Sequence, residues 1–89
     1  MNKKEFVVIG LKERVIHVVI FSTYITWMIS TREGLTKISP HFRTIVQSFK
    51  YMLGKLNMTK QYGKMTSAVA DMIIKYGIGL DGTVLDVST

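Results

Sequence analysis

Between Glu33 and Asp71 the chain carries no acidic residue, yet Lys37, Arg43, Lys50, Lys55, Lys60 and Lys64 all fall in that stretch, with His41 beside them. These six cations alone match the net charge of +6 of the whole 89-residue chain. Fixed cations along a path bind polyanions by releasing condensed counterions, and an exposed aromatic among them can stack on a base or sugar. Arg43, Gln47, Lys50, Tyr51, Lys55, Lys60 and Lys64 are the residues expected to make such contacts. The partner classes that this charge recruits are nucleic acid, acidic lipid and acidic protein. The same pattern also serves as a solvated face that keeps an apolar protein in solution.

Other chemistry finds little purchase. His17 sits in an apolar stretch and is read as a core histidine, and His41 is read as opening a helix. Glu5, Glu13 and Glu33 are N-terminal, whereas Asp71, Asp81 and Asp86 are C-terminal. No phosphate loop, nucleophile elbow or metal-spaced cluster is present in the sequence. There is no cysteine, which excludes disulfides, thiolate catalysis and zinc–thiolate sites. The expectation is a protein that is not an enzyme and carries no cofactor or metal.

A second candidate surface is a strip of small residues. Gly63, Ser67 and Ala70, with Ile74 beyond, would lie on one side of a helix and let two backbones approach closely. Ordinary packing against residues 15–29 is the favoured reading of this strip; as the alternative, these four are the candidate self-association residues. Nearly half the residues are apolar (47%), more than a domain of this length can readily hide. Self-association or docking into a larger assembly would absorb the excess.

The elements that must position these residues follow from periodicity. Phe6-Val7-Val8-Ile9, closed by Gly10, reads as a strand over 5–9. Residues 15–29 carry no formal charge, and nine of the fifteen are β-branched. Their polar members (His17, Ser22, Thr23, Thr26) neither gather on a helical face nor alternate along a strand. A buried helix over roughly 12–31 is the expectation, long strands the alternative, and a membrane-spanning helix the third reading. As a helix between Arg14 and Arg32 the segment would measure about 25 Å, slightly short of a bilayer core of about 30 Å.

Ser39-Pro40 has the form of an N-cap followed by proline at the first helical position. Phe42, Ile45, Val46, Phe49, Met52, Leu53 and Leu56 then recur at helical spacing, which predicts a helix over about 40–54. Lys55 follows Gly54 where a DNA-reading helix pair needs an apolar residue, so a helix-turn-helix is a weak reading. Thr59 as cap, an apolar stripe of Tyr62, Met65, Val69, Met72, Ile73 and Tyr76, and Gly77 at the C-terminal stop predict a last helix over about 60–77. Asp81-Gly82 reads as a turn, and 83–87 as a terminal strand that pairs with 5–9.

The expected protein is thus a single small domain, 1–89, mainly α, with about three helices and short paired terminal strands. The alternative is α+β, with residues 5–29 as long strands. The expected role is a structural or assembly subunit that forms a homo-oligomer or joins a larger protein complex. The alternatives are a nucleic-acid-binding accessory protein using 34–70 and a membrane subunit using 15–31. Lys12-Glu13-Arg14 interrupts any secretion leader, so a cytoplasmic or particle-associated location is expected over secretion.

Overall fold

Nine β-branched residues between positions 15 and 29 crowd a helix and suit a pleated sheet, and a sheet is what they form. The computed structural model describes residues 3–11 and 14–82. Four strands come first: β1 (Lys3–Leu11), β2 (Arg14–Phe21), β3 (Ile25–Thr31) and β4 (Gly34–Lys37). They make one antiparallel meander in the order β1-β2-β3-β4. Then follow α1 (Ile45–Lys55), α2 (Thr59–Tyr62), a 3-10 turn (Gly63–Met65) and α3 (Thr66–Tyr76).

The mainly α expectation is therefore overturned: the fold is α+β, and the helix expected over 12–31 is replaced by the β2–β3 hairpin. Its register sets Ile16 opposite Ile29, Val18 opposite Trp27 and Ile20 opposite Ile25. These side chains face α1 and α3. His17, Val19 and Thr26 point to the other face and are buried as well, as is Val7 on β1. Burial on both faces removes the alternation that marks a half-exposed strand, so periodicity gave no strand signal here. The hairpin turns at Ser22-Thr23-Tyr24, where the Phe21 N–H donates to the Tyr24 carbonyl at 2.9 Å. A membrane-spanning helix over 15–29 is excluded by the same hairpin. Among the described residues no helix is long and apolar enough to cross a membrane.

The strand expected over 5–9 lies within β1, but its partner is β2, with Phe6 opposite Val18. The expected terminal strand over 83–87 lies outside the described residues. The described chain nonetheless ends against β1. The register shifts between Val7 and Ile9. Val8, left out of the pairing by that shift, gives its carbonyl to the Leu80 N–H at 2.7 Å. The Gly10 N–H donates to the Asp81 carboxylate at 2.9 Å.

Ser39-Pro40 does not start a helix. Ser39 is buried, and its hydroxyl accepts from the Trp27 N–H at 2.9 Å and donates to the Pro40 carbonyl at 2.8 Å. Phe42 then exchanges both backbone hydrogen bonds with Ile25, each 2.7 Å. Residues 38–42 therefore run beside β3, and α1 begins five residues later than expected, capped by Thr44, whose hydroxyl accepts from the Gln47 N–H. The buried side chains of α1 are Ser48, Phe49, Met52 and Leu53. Phe49 meets the edge of Trp27 with ring centroids 4.9 Å apart.

The helix expected over 60–77 is broken. The 3-10 turn at Gly63–Met65 winds its three residues more tightly than an α-helix and advances the phase by roughly 60°. The stripe C-terminal to it is accordingly Thr66, Val69, Ala70 and Ile73, all buried, while Met65 and Tyr76 stand exposed. Gly77 ends α3 with φ of 68°, the left-handed stop that its position implied.

A candidate anion-binding groove

The break before α3 also shapes the groove. α1 supplies one wall; α2 and the 3-10 turn supply the other. Lys50 from α1, Lys60 from α2 and Lys64 from the 3-10 turn line a single open hollow of about 650 Å3, floored by Leu53 and Thr66. An adjoining hollow shares Lys50, Gly63, Lys64 and Thr66 and adds Val46, Met65 and Ser67. Among the described residues no carboxylate lines either one. The three ammonium groups are exposed, and none makes a hydrogen bond or ion pair with a described residue. Gly63 packs closely on Thr59: a Cβ there would stand 3.0 Å from the Thr59 Cγ2, so the Thr59 side chain would have to give slightly.

The remaining members of the expected anion surface lie elsewhere. Tyr51 is on the opposite flank of α1, 5.3 Å from the Phe42 ring. Lys55 is turned the same way: its Nζ donates to the Ile38 carbonyl at 2.6 Å and sits 5.7 Å from the Tyr51 ring centroid. Arg43 and Gln47 are exposed at the start of α1, outside both hollows. The fold thus gathers Lys50, Lys60 and Lys64 and sets Tyr51 and Lys55 apart from them.

The small-residue strip is divided as well. Gly63 and Ser67 line the groove. Ala70 is buried in the core, and Ile74 is half-buried against it. The four do not share one free face.

Sequence reasoning missed a cluster on the sheet face turned away from the helices. His17 Nδ1 donates to the Glu5 carboxylate at 3.2 Å, and the other Glu5 oxygen takes Lys3 Nζ at 2.9 Å. Glu5 is opposite Val19 and His17 opposite Val7, so the two are diagonal neighbours on one face. A strand reading of 5–29 with this register would have found them. A carboxylate that orients an imidazole is half of a catalytic arrangement. Here His17 is only 6% exposed, and its Nε2 is enclosed without a partner among the described residues, so no substrate reaches it. His41 does not open a helix. It stacks on Tyr24 at 3.9 Å and meets Lys37 Nζ at 3.0 Å.

Among the described residues no group of three or more histidines and carboxylates could hold a metal ion. The fold and groove define a small α+β protein with a lysine-rimmed, aliphatic-floored cleft. No protein-family model, curated protein or solved structure matches the chain.

Proposed function

We propose that this protein is a non-enzymatic docking subunit that takes its place in a larger assembly by receiving an anionic partner in the groove between α1 and α2. The observation that carries this reading is the convergence of Lys50, Lys60 and Lys64 from three successive elements on one groove, with no carboxylate in its lining among the described residues. Three cations with no ion pair to a described residue lose little in meeting an anion, since none of those contacts has to break. A binding role fits better than a catalytic one because the His17 ring is buried.

Labelled poly-glutamate is a direct probe. Binding should weaken as salt rises, and the triple replacement of Lys50, Lys60 and Lys64 by glutamine should abolish it, while Lys55→Gln leaves it unchanged. Equal losses from Lys55→Gln and from the triple variant would mean that the groove is not the site.

The second reading, a nucleic-acid-binding accessory protein, is favoured by one observation: Tyr51 is 40% exposed with a lysine over its ring, on a helix whose exposed cations face no acid in their own segment. On that reading duplex DNA should bind with a log K against log salt slope of about −3.6 for four phosphate contacts, Arg43 and the three groove lysines. Tyr51→Ala and Arg43→Gln should then weaken binding alongside the groove lysines.

A further inference from the structure

We infer that the occupant of the groove is an amphipathic helix of an acidic protein, with an aliphatic stripe flanked by carboxylates. The inference rests on the anionic-partner reading above and supplies the chemistry of that partner.

Large apolar side chains stand in water where the cations converge. Val46 is 38% exposed and Met65 50% exposed, and both line the hollow that also holds Lys50 and Lys64. A bare polyanion gains nothing from such side chains; a partner with an apolar stripe covers them. Nor is the lining built for bases. It contains no aromatic ring, and Tyr51, the aromatic that could stack on one, is on the far flank of α1 against Phe42.

The walls decide the form of the partner. Within α1 the backbone donors and acceptors are engaged in the helix, so the groove offers no edge to which a strand could add. A segment whose backbone is already satisfied suits such a groove, which is the helix-in-groove mode, read through apolar anchors at i, i+3 and i+4. Val46, Lys50 and Leu53 fall at i, i+4 and i+7 on α1 and run for about 10 Å, matching two turns of a docked helix. Lys60 and Lys64 stand on one wall and Lys50 on the other, so carboxylates on both margins of the partner's stripe meet an ammonium group.

The test compares two synthetic peptides of identical composition, eighteen residues of leucine, alanine and glutamate. In one the leucines form a single helical stripe, and in the other they are scrambled. Fluorescence anisotropy with the full-length protein should show the patterned peptide binding about tenfold tighter than the scrambled one, since only the former covers the apolar floor. Its helicity should rise on binding by circular dichroism. Val46→Ser combined with Met65→Ser should erase the preference and leave poly-glutamate binding intact. Both residues are exposed, and thermal melting checks that the variant folds; should it not, the wild-type preference for the patterned peptide decides alone. Equal binding of the two peptides would overturn the docked-helix inference while the anionic-partner reading survives. Displacement of the patterned peptide by duplex DNA at lower concentration than by poly-glutamate would overturn it in favour of nucleic acid. Failure of poly-glutamate and both peptides to bind at low salt would overturn both readings.

Discussion

The two flanks of α1 carry the same kinds of residue and use them differently. On one flank Lys50 stands beside Val46 and Leu53 and faces Lys60 and Lys64 across an open groove. On the other, Lys55 reaches back to the Ile38 carbonyl and lies over Tyr51, which itself packs on Phe42. A cation already engaged with the chain's own carbonyl and ring must give up those contacts to bind something else. A cation facing only water and other cations gives up nothing and relieves repulsion when an anion arrives. The acid-free stretch is therefore not one surface. It divides into Lys55, which bonds the Ile38 carbonyl, and Lys50, Lys60 and Lys64, which make no hydrogen bond or ion pair with a described residue.

The harshest way to break this contrast is to remove what both flanks share. Phe49 is 1% exposed and meets Trp27 edge-on at 4.9 Å. Phe49→Ala should cost about 3–5 kcal/mol. Chemical denaturation should show that loss, and binding at the groove should disappear with the folded state rather than with any charge. A loss below about 1 kcal/mol would mean that α1 is not anchored through this ring.

The Glu5–His17 pair gives the next largest effect and contrasts a part-buried contact on the sheet with an exposed one on the helical surface. Glu5→Ala leaves both ring nitrogens of a buried histidine without a partner among the described residues and should cost about 1–3 kcal/mol. Asp71→Ala removes only an exposed pair to Lys75 at 3.8 Å and should cost less than about 0.5 kcal/mol. Similar melting temperatures for the two variants would show that the part-buried contact contributes nothing beyond a surface one.

Tyr51→Ala sharpens the contrast from the closed flank. Loss of the tilted contact with Phe42 should lower stability by about 1 kcal/mol. Poly-glutamate affinity should stay unchanged. If affinity falls while stability holds, Tyr51 is a contact residue and the nucleic-acid reading gains.

How much of this was legible beforehand differs by element. The stripe Phe49, Met52 and Leu53 was, because a surface helix with one buried face leaves a clean 3.6-residue period. Residues 15–29 were not, because at the sheet centre Val18 and Val19 are both buried, and a strand covered on both sides loses its alternation. Ser39-Pro40 misled for a local reason: the hydroxyl that would cap a helix instead accepts from the Trp27 N–H, a partner twelve residues back that only the sheet brings near. The charge of the groove could be read from sequence, but its membership could not. Grouping Lys60 and Lys64 with Lys50 rather than with Lys55 depends on how the chain turns between α1 and α2, where Asn57 takes a left-handed φ of 59°. The Glu5–His17 contact needed strand register, which no single-strand pattern supplies.

The smallest effect is the finest test of the two flanks. Lys50→Met and Lys55→Met each remove one positive charge from α1 and keep most of the aliphatic stem, so they differ only in where the charge sits. Lys50 makes no hydrogen bond or ion pair with a described residue, so Lys50→Met should leave stability within about 0.5 kcal/mol and weaken poly-glutamate binding severalfold. Lys55→Met loses the 2.6 Å bond to the Ile38 carbonyl and the cation over Tyr51. It should lower stability by about 0.5 kcal/mol, a modest loss because the site is exposed, and leave binding where it was. Long-range attraction complicates this, since any lost cation weakens the field felt by a polyanion. Measuring both variants at about 0.15 M salt, where the screening length is near 8 Å, confines the comparison to local contacts. If the two variants then bind poly-glutamate equally weakly, the anion senses net charge alone, and the division of α1 into a closed flank and an open one has no bearing on binding.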